Sequence, residues 1–167
     1  MEVRKGKQSD AAQAQKLSYS TMQLFGLVPD PNGIDIELGR FGEQLDEFLL
    51  QLVACEDDKI IGCISLLRFD SCEGKLSGFY VDPTHRGRGI GERLLKNTID
   101  HAKSIGLTGI YLETWDKMEA AANLYKKFGW KRVNDPPRDS GAQRAYYLRL
   151  PANNKPRHLM QKDAQRL

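Results

Sequence analysis

Residues 80–91 constrain the fold of this chain more than any other segment. They read Tyr-Val-Asp-Pro-Thr-His-Arg-Gly-Arg-Gly-Ile-Gly, so a β-type run ends at a proline turn and leads into a basic loop with glycine at alternate positions. Apolar residues at helical spacing then predict a helix over residues 91–104. The first N–H groups of a helix lack intrahelical partners, and its N-terminus carries about +0.5 of a charge. The segment therefore predicts a strand, an anion-binding loop and a helix.

The glycines and arginines of this loop suit a pyrophosphate. Gly87, Gly89 and Gly91 let the backbone approach an anion closely, because no side chain intervenes. Arg86 and Arg88 add charge-assisted hydrogen-bond donors. Two other glycine-rich motifs do not fit: the third glycine of a dinucleotide-binding turn comes one position early here, and no Gly-Lys-Ser/Thr occurs. A basic surface loop before an ordinary helix remains the alternative.

Residues 86–91 match Arg-x-x-Gly-x-Gly and resemble the acyl-CoA pyrophosphate motif of the GNAT superfamily of N-acetyltransferases. Residues 75–83 look like the fourth strand of that family, and residues 121–130 look like its later helix with a Tyr-x-x-x-Gly-Phe/Trp signature. The resemblance spans about residues 3–150 and is strongest over residues 75–132. It implies an α/β (α+β) fold with a mixed, mostly antiparallel central sheet flanked by helices on both faces.

The hydrophobic pattern also indicates a mixed α/β fold. Ser9 or Asp10 can cap a first helix that runs to about residue 22. Two apolar runs at residues 49–56 and 59–69 predict an antiparallel hairpin around Asp57-Asp58. Further strands are predicted at residues 75–81, 109–113 and 146–150, the last closing the sheet, with a helix at residues 117–127. Residues 24–47 give no readable pattern.

Length and charge favour one domain with a basic tail. The 167 residues are 40% hydrophobic and 28% charged, which fits a single core. The tail from residue 151 has four basic side chains against one acidic, so the net charge of +3 lies there and residues 1–150 are neutral. We predict a GNAT-like domain over residues 1–150 and a flexible tail or interaction arm over residues 151–167. No nucleic-acid partner is expected, because no reading motif accompanies this charge.

The cysteines and histidines suggest neither a disulfide framework nor a metal site. Cys55, Cys63 and Cys72 are odd in number and lack Cys-x-x-Cys spacing, and no histidine clusters with them. The sequence also shows no apolar signal stretch and no run of about 20 apolar residues. We therefore expect no metal, no membrane partner and a cytoplasmic location.

The resemblance assigns cofactor contacts residue by residue. Backbone groups of Phe79 and Val81 are expected to pair with the pantetheine arm, as an extended chain adds to a sheet edge. Asn123 is a further candidate for a hydrogen bond to that arm. The pyrophosphate contacts are assigned to Arg86, Gly87, Arg88, Gly89, Ile90 and Gly91. Residues 79–81 would look the same in an ordinary core strand.

Tyr125 matches the general acid position of the family. A phenol with a pKa of about 10 can donate a proton or a hydrogen bond to a leaving thiolate whose thiol has a pKa of about 8.5. Tyr125 also falls on one helical stripe with Ala121, Leu124 and Phe128, which is typical of a core tyrosine. Spacing alone therefore leaves both interpretations open.

The general base departs from the best-known pattern. Many members of the family carry a glutamate on the fourth strand, but residues 74–77 contain no carboxylate. Glu113, at the end of the fifth predicted strand, is the predicted base, acting directly or through a water. Glu73 and Glu37 are alternatives, and deprotonation through a chain of waters is another.

These features predict an acetyl-CoA-dependent N-acetyltransferase in which a primary amine attacks the thioester directly in a ternary complex. No cysteine has the neighbouring histidine or helix N-terminus that an acyl-cysteine route would need. The alternative is a non-catalytic acyl-CoA-binding or sensing module. The sequence does not identify the small-molecule or peptide amine acceptor and leaves a homodimer possible. We expect residues 24–45 and 134–144 to select the acceptor, and Asp30, Asp35, Glu37 and Asp46 favour a cationic amine.

Overall fold

A central sheet of seven strands organises the protein. The computed structural model describes residues 1–33 and 35–151, so the predicted tail lies outside the described residues except for Pro151. The strands are β1 (Glu2–Lys5), β2 (Phe48–Glu56), β3 (Lys59–Arg68), β4 (Glu73–Val81), β5 (Gly109–Thr114), β6 (Lys131–Arg132) and β7 (Arg144–Arg149). The helices are α1 (Ala11–Leu24), α2 (Ile36–Gly39), α3 (Ile90–Ser104) and α4 (Glu119–Lys127).

The predicted mixed, mostly antiparallel sheet is confirmed. The strand order is β1-β2-β3-β4-β5-β7-β6, and β4 with β5 is the parallel pair among otherwise antiparallel neighbours. The β2–β3 hairpin turns at Asp57 and Asp58, whose φ angles are 48° and 61°. Positive φ at both central residues is the geometry that matches the right-handed twist of the flanking strands.

Helices cover both faces of the sheet, as predicted. Alternate residues of a strand point to opposite faces, and β2 shows this directly. Val53 packs with Ala14 and Leu17 of α1, whereas Leu52 belongs to the core that includes α3 and α4. The α1 side also includes Leu38 of α2, so α1 and α2 lie on one face and α3 and α4 on the other.

Two strands and one helix escaped the sequence prediction. β1 has four residues, β6 has two and α2 has four, so each is too short for a repeated hydrophobic pattern to stand out in the sequence. The prediction that residues 146–150 close the sheet is wrong, because β6 pairs with β7 and forms the edge. The remaining predicted elements are confirmed with shifts of a few residues at their ends.

No helix within residues 1–33 and 35–151 is both long and apolar enough to cross a membrane.

Candidate active site

The sheet opens where β4 and β5 separate. These strands pair from Glu73 opposite Gly109 to Leu76 opposite Leu112, and the rest of β4 does not pair with β5. Just beyond, Ser77 pairs with Ser65 of β3 and Tyr80 pairs with Cys63. The two residues of β4 between these pairs therefore lie opposite a single residue of β3, which is a β-bulge. Gly78 in this bulge has a φ of 57°, which glycine adopts readily. The bulge bends β4 away from β5 and leaves a gap in the sheet.

The backbone of Phe79 and Val81 faces this gap. The Asp82 N–H donates to the Ile61 carbonyl on β3 at 2.8 Å. Backbone groups of successive residues in an antiparallel strand point to alternate sides. The backbone N–H and C=O groups of Tyr80 and Asp82 therefore point towards β3. Those of Phe79 and Val81 point towards the β5 side. A free sheet edge lies where the sequence analysis expects an extended arm to pair.

Two clefts meet at this gap. The first, which we call the glycine-loop cleft, has a volume of about 570 Å³. Its walls include Phe25, Phe79, Val81, His85, Arg86, Gly87, Gly89, Ile90, Gly91, Lys117, Met118 and Leu124. The second, the carboxylate cleft, has a volume of about 270 Å³. Its walls include Asp35, Glu37, Lys75, Ser77, Phe79, Tyr80, Glu113, Trp115, Met118, Tyr125, Ser140 and Ala142.

The glycines leave the backbone of the loop open. Gly87 and Gly89 have φ angles of 75° and 73°, and, apart from their neighbours in the chain, no described residue has a heavy atom within 4 Å of the position that a Cβ would take at either glycine. Gly89 directly precedes α3, so the N–H groups of the first helical turn, which lack intrahelical partners, lie beside it. A Cβ at Gly91 would lie 3.3 Å from Phe79 Cζ, inside the glycine-loop cleft. The arrangement fits a phosphate-bearing, extended ligand.

The two arginines of the loop differ in their contacts. Arg86 lines the glycine-loop cleft, and its guanidinium carbon lies 5.5 Å from the centre of the Phe25 ring. Arg88 instead makes two hydrogen bonds to the Glu56 carboxylate, at 3.0 and 2.6 Å. The guanidinium of Arg88 lowers the pKa of Glu56. The geometry therefore makes Arg86 the better placed of the two for a ligand in the cleft.

Tyr125 lies on the wall of the carboxylate cleft and is 5% exposed. Its ring packs against Phe79, Trp130 and Tyr146, with centroid distances of 6.1, 5.8 and 6.2 Å. Burial raises the pKa of Tyr125 well above its usual value, so the phenol stays protonated through the physiological range. The neutral phenol of Tyr125 thus lies on the wall of the carboxylate cleft, beside Phe79, which lines both clefts.

Comparison with known proteins places this architecture in a family. A family model described as the acetyltransferase (GNAT) family matches residues 19–130. The chain belongs to the GNAT family. An uncharacterized N-acetyltransferase of Schizosaccharomyces pombe is 32% identical over 98 residues, which make up 57% of this chain and 58% of that protein. Matches to three curated relatives span only 27%, 58% and 36% of their lengths.

Solved structures share the fold. A GNAT-family acetyltransferase from Staphylococcus aureus has a TM-score of 0.80 at 24% identity, over 90% of this chain and 99% of that one. A putative acetyltransferase from Salmonella typhimurium, solved with acetyl-CoA, has a TM-score of 0.71 at 19% identity, over 93% of this chain and 97% of that one. The GNAT fold, with its mixed sheet, is therefore shown for this chain.

Two contacts hold the Glu113 carboxylate of this GNAT protein. Lys75 Nζ on β4 lies 3.2 Å from Glu113 Oε2, and the Tyr111 hydroxyl donates to Oε1 at 3.0 Å. Burial, followed by the bond to Glu113, raises the pKa of Tyr111 to about 12. Tyr111 therefore remains a neutral donor and fixes Glu113 at the cleft wall. The contact with Lys75 could not be read from the sequence, since Lys75 lies 38 positions away.

The two alternative bases occupy different places. Glu37 lines the carboxylate cleft and accepts a hydrogen bond from the Ser77 hydroxyl at 2.6 Å. Glu73 does not line either cleft, and it accepts a hydrogen bond from the Tyr147 hydroxyl at 2.5 Å. Glu37 thus stays a geometrically suitable alternative to Glu113, and Glu73 does not.

The structure also shows site residues that the sequence analysis missed. Met118 lines both clefts, and Lys117 and Phe25 line the glycine-loop cleft. Asn123, the predicted arm contact, is exposed and lies outside the walls of both clefts. Met118 and Lys117 precede α4 in a loop that carries no recognisable motif. Only the tertiary structure identifies them as residues of the cleft walls.

The cysteines stand apart from both clefts. Cys63 is buried and lies 3.6 Å from the Ser18 hydroxyl, and burial raises its pKa to about 11. Cys55 and Cys72 are half-buried. None of the three lines either cleft. Within the part of the chain that the structure describes, no group of three or more histidine, cysteine, aspartate or glutamate residues is arranged so that it could hold a metal ion.

Proposed function

We propose that this protein transfers an acetyl group from acetyl-CoA to a primary amine, by direct attack of the amine in a ternary complex. The observation that carries the proposal is the meeting of the two clefts at Phe79, Tyr80 and Met118, beside the gap between β4 and β5. Two substrates entering from opposite sides would meet on one strand. The acetyl-CoA complex of the Salmonella typhimurium neighbour supports the choice of cosubstrate.

The residues of the glycine-loop cleft suit acetyl-CoA. The open backbone at Gly87 and Gly89, together with Arg86, would hold the pyrophosphate. The free backbone groups of Phe79 and Val81 would pair with the amide groups of the pantetheine arm. Apolar walls at Ile90 and Leu124 would cover its aliphatic parts. The thioester would then lie at the gap, within reach of the carboxylate cleft.

Tyr125 is the proposed general acid. Direct attack forms a bond between the amine nitrogen and the acetyl carbon and breaks the carbon–sulfur bond, so the leaving sulfur must gain a proton or a strong hydrogen bond. The buried, protonated phenol of Tyr125 can supply it. Because burial raises the pKa of Tyr125, the phenol stays protonated at neutral pH and can donate a hydrogen bond to the leaving sulfur.

Glu113 is the proposed base, acting directly or through a water. The amine loses a proton on acylation, and Glu113 lies in the cleft from which that amine would approach. Its side chain is 15% exposed, which leaves a path for a water. The contacts from Lys75 and Tyr111 hold the carboxylate at the cleft wall.

A panel of primary amines, assayed for acetyl-CoA-dependent release of free thiol, tests the proposed function. Thiol release together with an acetylated product would support it, and initial-rate plots that intersect would support a ternary complex. Parallel plots would instead indicate an acyl-enzyme. Binding of CoA without release by any amine would favour the sensing module.

The two arginines of the loop provide a first prediction. Arg86→Ala should weaken CoA binding by about 10- to 100-fold, since a charge-assisted hydrogen bond contributes about 1.5–3 kcal/mol. Arg88→Ala should weaken it by less than about threefold, because Arg88 bonds to Glu56 outside the cleft walls. Calorimetric titration with CoA measures both. Equal losses in the two variants would place the pyrophosphate elsewhere on the loop.

The role of Glu113 gives a second prediction, based on pH. An amine with a pKa of about 10 is ~0.1% neutral at pH 7, so a base can offset up to ~4 kcal/mol of proton-transfer cost. Glu113→Gln should therefore lower kcat/KM at pH 7 by about 10- to 100-fold and recover part of it as the pH approaches the pKa of the amine. pH–rate profiles of both proteins measure this.

Glu73→Gln is the matched control for that prediction. It removes a carboxylate that also accepts a tyrosine hydroxyl but does not line the carboxylate cleft. Its profile should follow that of the wild type. If the Glu113→Gln profile also runs parallel to the wild type at every pH, Glu113 braces the strand end and is not the base.

A further inference from the structure

We infer that the carboxylate cleft selects an acceptor with a second positive charge, which Asp35 and Glu37 bind while the reacting amine lies near Tyr125. The inference rests on the proposed function and names its substrate class: a diamine or a longer polycationic amine. Both carboxylates line the cleft, Asp35 from the segment before α2 and Glu37 from α2 itself.

Asp35 is a buried carboxylate that has no cationic partner among the described residues. It is 6% exposed, and one of its oxygens accepts the Asp30 N–H at 2.8 Å. Its other oxygen has no hydrogen-bond partner among the described residues. Burial, countered by the Asp30 N–H and reinforced by the charges of Glu37 and Asp30, raises the pKa of Asp35. A buried charge is costly unless it is paired, so a cationic group in the cleft would be stabilised here.

Glu37 adds a second negative charge on the same wall. Its described partner is the Ser77 hydroxyl, which is neutral. Within residues 1–33 and 35–151, no ion pair joins Asp35 or Glu37 to a lysine, arginine or histidine. Glu113, the other carboxylate on the cleft wall, is already paired with Lys75 at 3.2 Å. Among the described residues, the uncompensated negative charge of the cleft therefore belongs to Asp35 and Glu37.

The chemistry of acyl transfer decides which nitrogen binds there. The attacking amine must be neutral, and a pair of carboxylates would hold it in its charged form and oppose the reaction. Asp35 and Glu37 would instead favour a nitrogen that stays protonated throughout. An acceptor with two amines satisfies both requirements, one nitrogen reacting and the other remaining an ammonium between the carboxylates.

Matched amines test this inference. Wild-type kcat/KM is measured for straight-chain monoamines of three to six carbons and for α,ω-diamines of the same lengths. The best diamine should exceed its monoamine by at least about tenfold, which corresponds to about 1.4 kcal/mol for one ionic contact. Because either of the two equivalent amino groups of a diamine can react, a statistical factor of about two over the monoamine is expected without any ionic contact. In the Asp35→Asn and Glu37→Gln variants, the ratio of kcat/KM for the diamine to kcat/KM for its monoamine should fall to about two or three.

Asp46→Asn is the control, because Asp46 is exposed and lies outside the carboxylate cleft. Its ratio should equal that of the wild type. The inference would be overturned if monoamines and diamines had equal kcat/KM, or if the ratio were unchanged in both Asp35→Asn and Glu37→Gln. Either result would still support the proposed function, because thiol would be released. Absence of thiol release with every amine, although CoA binds, would overturn the proposed function itself.

Discussion

Tyr125→Phe should lower kcat by about 10- to 1,000-fold while the Kd for CoA stays within about twofold. The substitution removes one hydroxyl and keeps the ring that packs against Phe79, Trp130 and Tyr146. If that hydroxyl protonates the leaving thiolate, the loss falls on turnover alone, with partial rescue by water. Steady-state kinetics with a competent amine and calorimetric titration with CoA measure the two quantities.

Tyr146→Phe separates catalysis from packing in that experiment. Tyr146 is 1% exposed, belongs to the same aromatic cluster and does not line either cleft. Loss of its hydroxyl should leave kcat within about threefold of the wild type. A Tyr125→Phe enzyme that turns over as fast as Tyr146→Phe would show that Tyr125 is a core residue with no part in the chemistry.

Gly91→Val should weaken CoA binding by about 10- to 100-fold with a small change in stability. A Cβ at this position would lie 3.3 Å from Phe79 Cζ and 3.5 Å from Leu124 Cδ2 and Val81 Cγ2, so the larger side chain would fill the glycine-loop cleft. Overpacking a site that must receive a ligand costs about 1–3 kcal/mol. Calorimetric titration with CoA measures the loss, and thermal unfolding shows whether the fold is intact.

The choice of Gly91 over Gly89 follows from backbone geometry. Gly91 lies within α3 and has no positive φ, so valine can adopt its conformation there. Gly89 has a φ of 73°, and valine would strain the start of α3 even without a ligand. Lys96→Val, on the exposed face of α3, controls for a β-branched residue in the helix. Unchanged CoA affinity in a folded Gly91→Val protein would show that CoA does not bind in the glycine-loop cleft.

Local patterns sufficed for much of the fold. The period of the apolar residues predicted α3, and the break at Asp57-Asp58 predicted the β2–β3 hairpin, because both signals lie within one element or one turn. The same holds for the glycine loop, whose strand–loop–helix context is contiguous in the chain. The short elements β1, β6 and α2 were missed because two to four residues are too few for a repeated hydrophobic pattern to stand out.

The candidate site depended on contacts between distant segments. The sequence named Tyr125, Glu113 and the glycine loop, but it could not show that Arg88 bonds to Glu56, 32 positions away, while Arg86 lines the cleft. It gave Asp35 no more weight than Asp30 or Asp46, although one is buried in the carboxylate cleft and the others are exposed outside it. Burial and charge pairing depend on which surfaces the fold brings together, so residue identity alone does not fix them.

The sequence by itself thus determined the order of strands and helices around the glycine loop, because hydrophobic periodicity and turn chemistry act over a few residues. Only the tertiary structure decided where the sheet opens. The bulge at Gly78 and the end of pairing at Leu76 depend on how β3, β4 and β5 meet, and that gap brings the two clefts together. A strand pairs or separates according to its neighbours in space, which no single segment encodes.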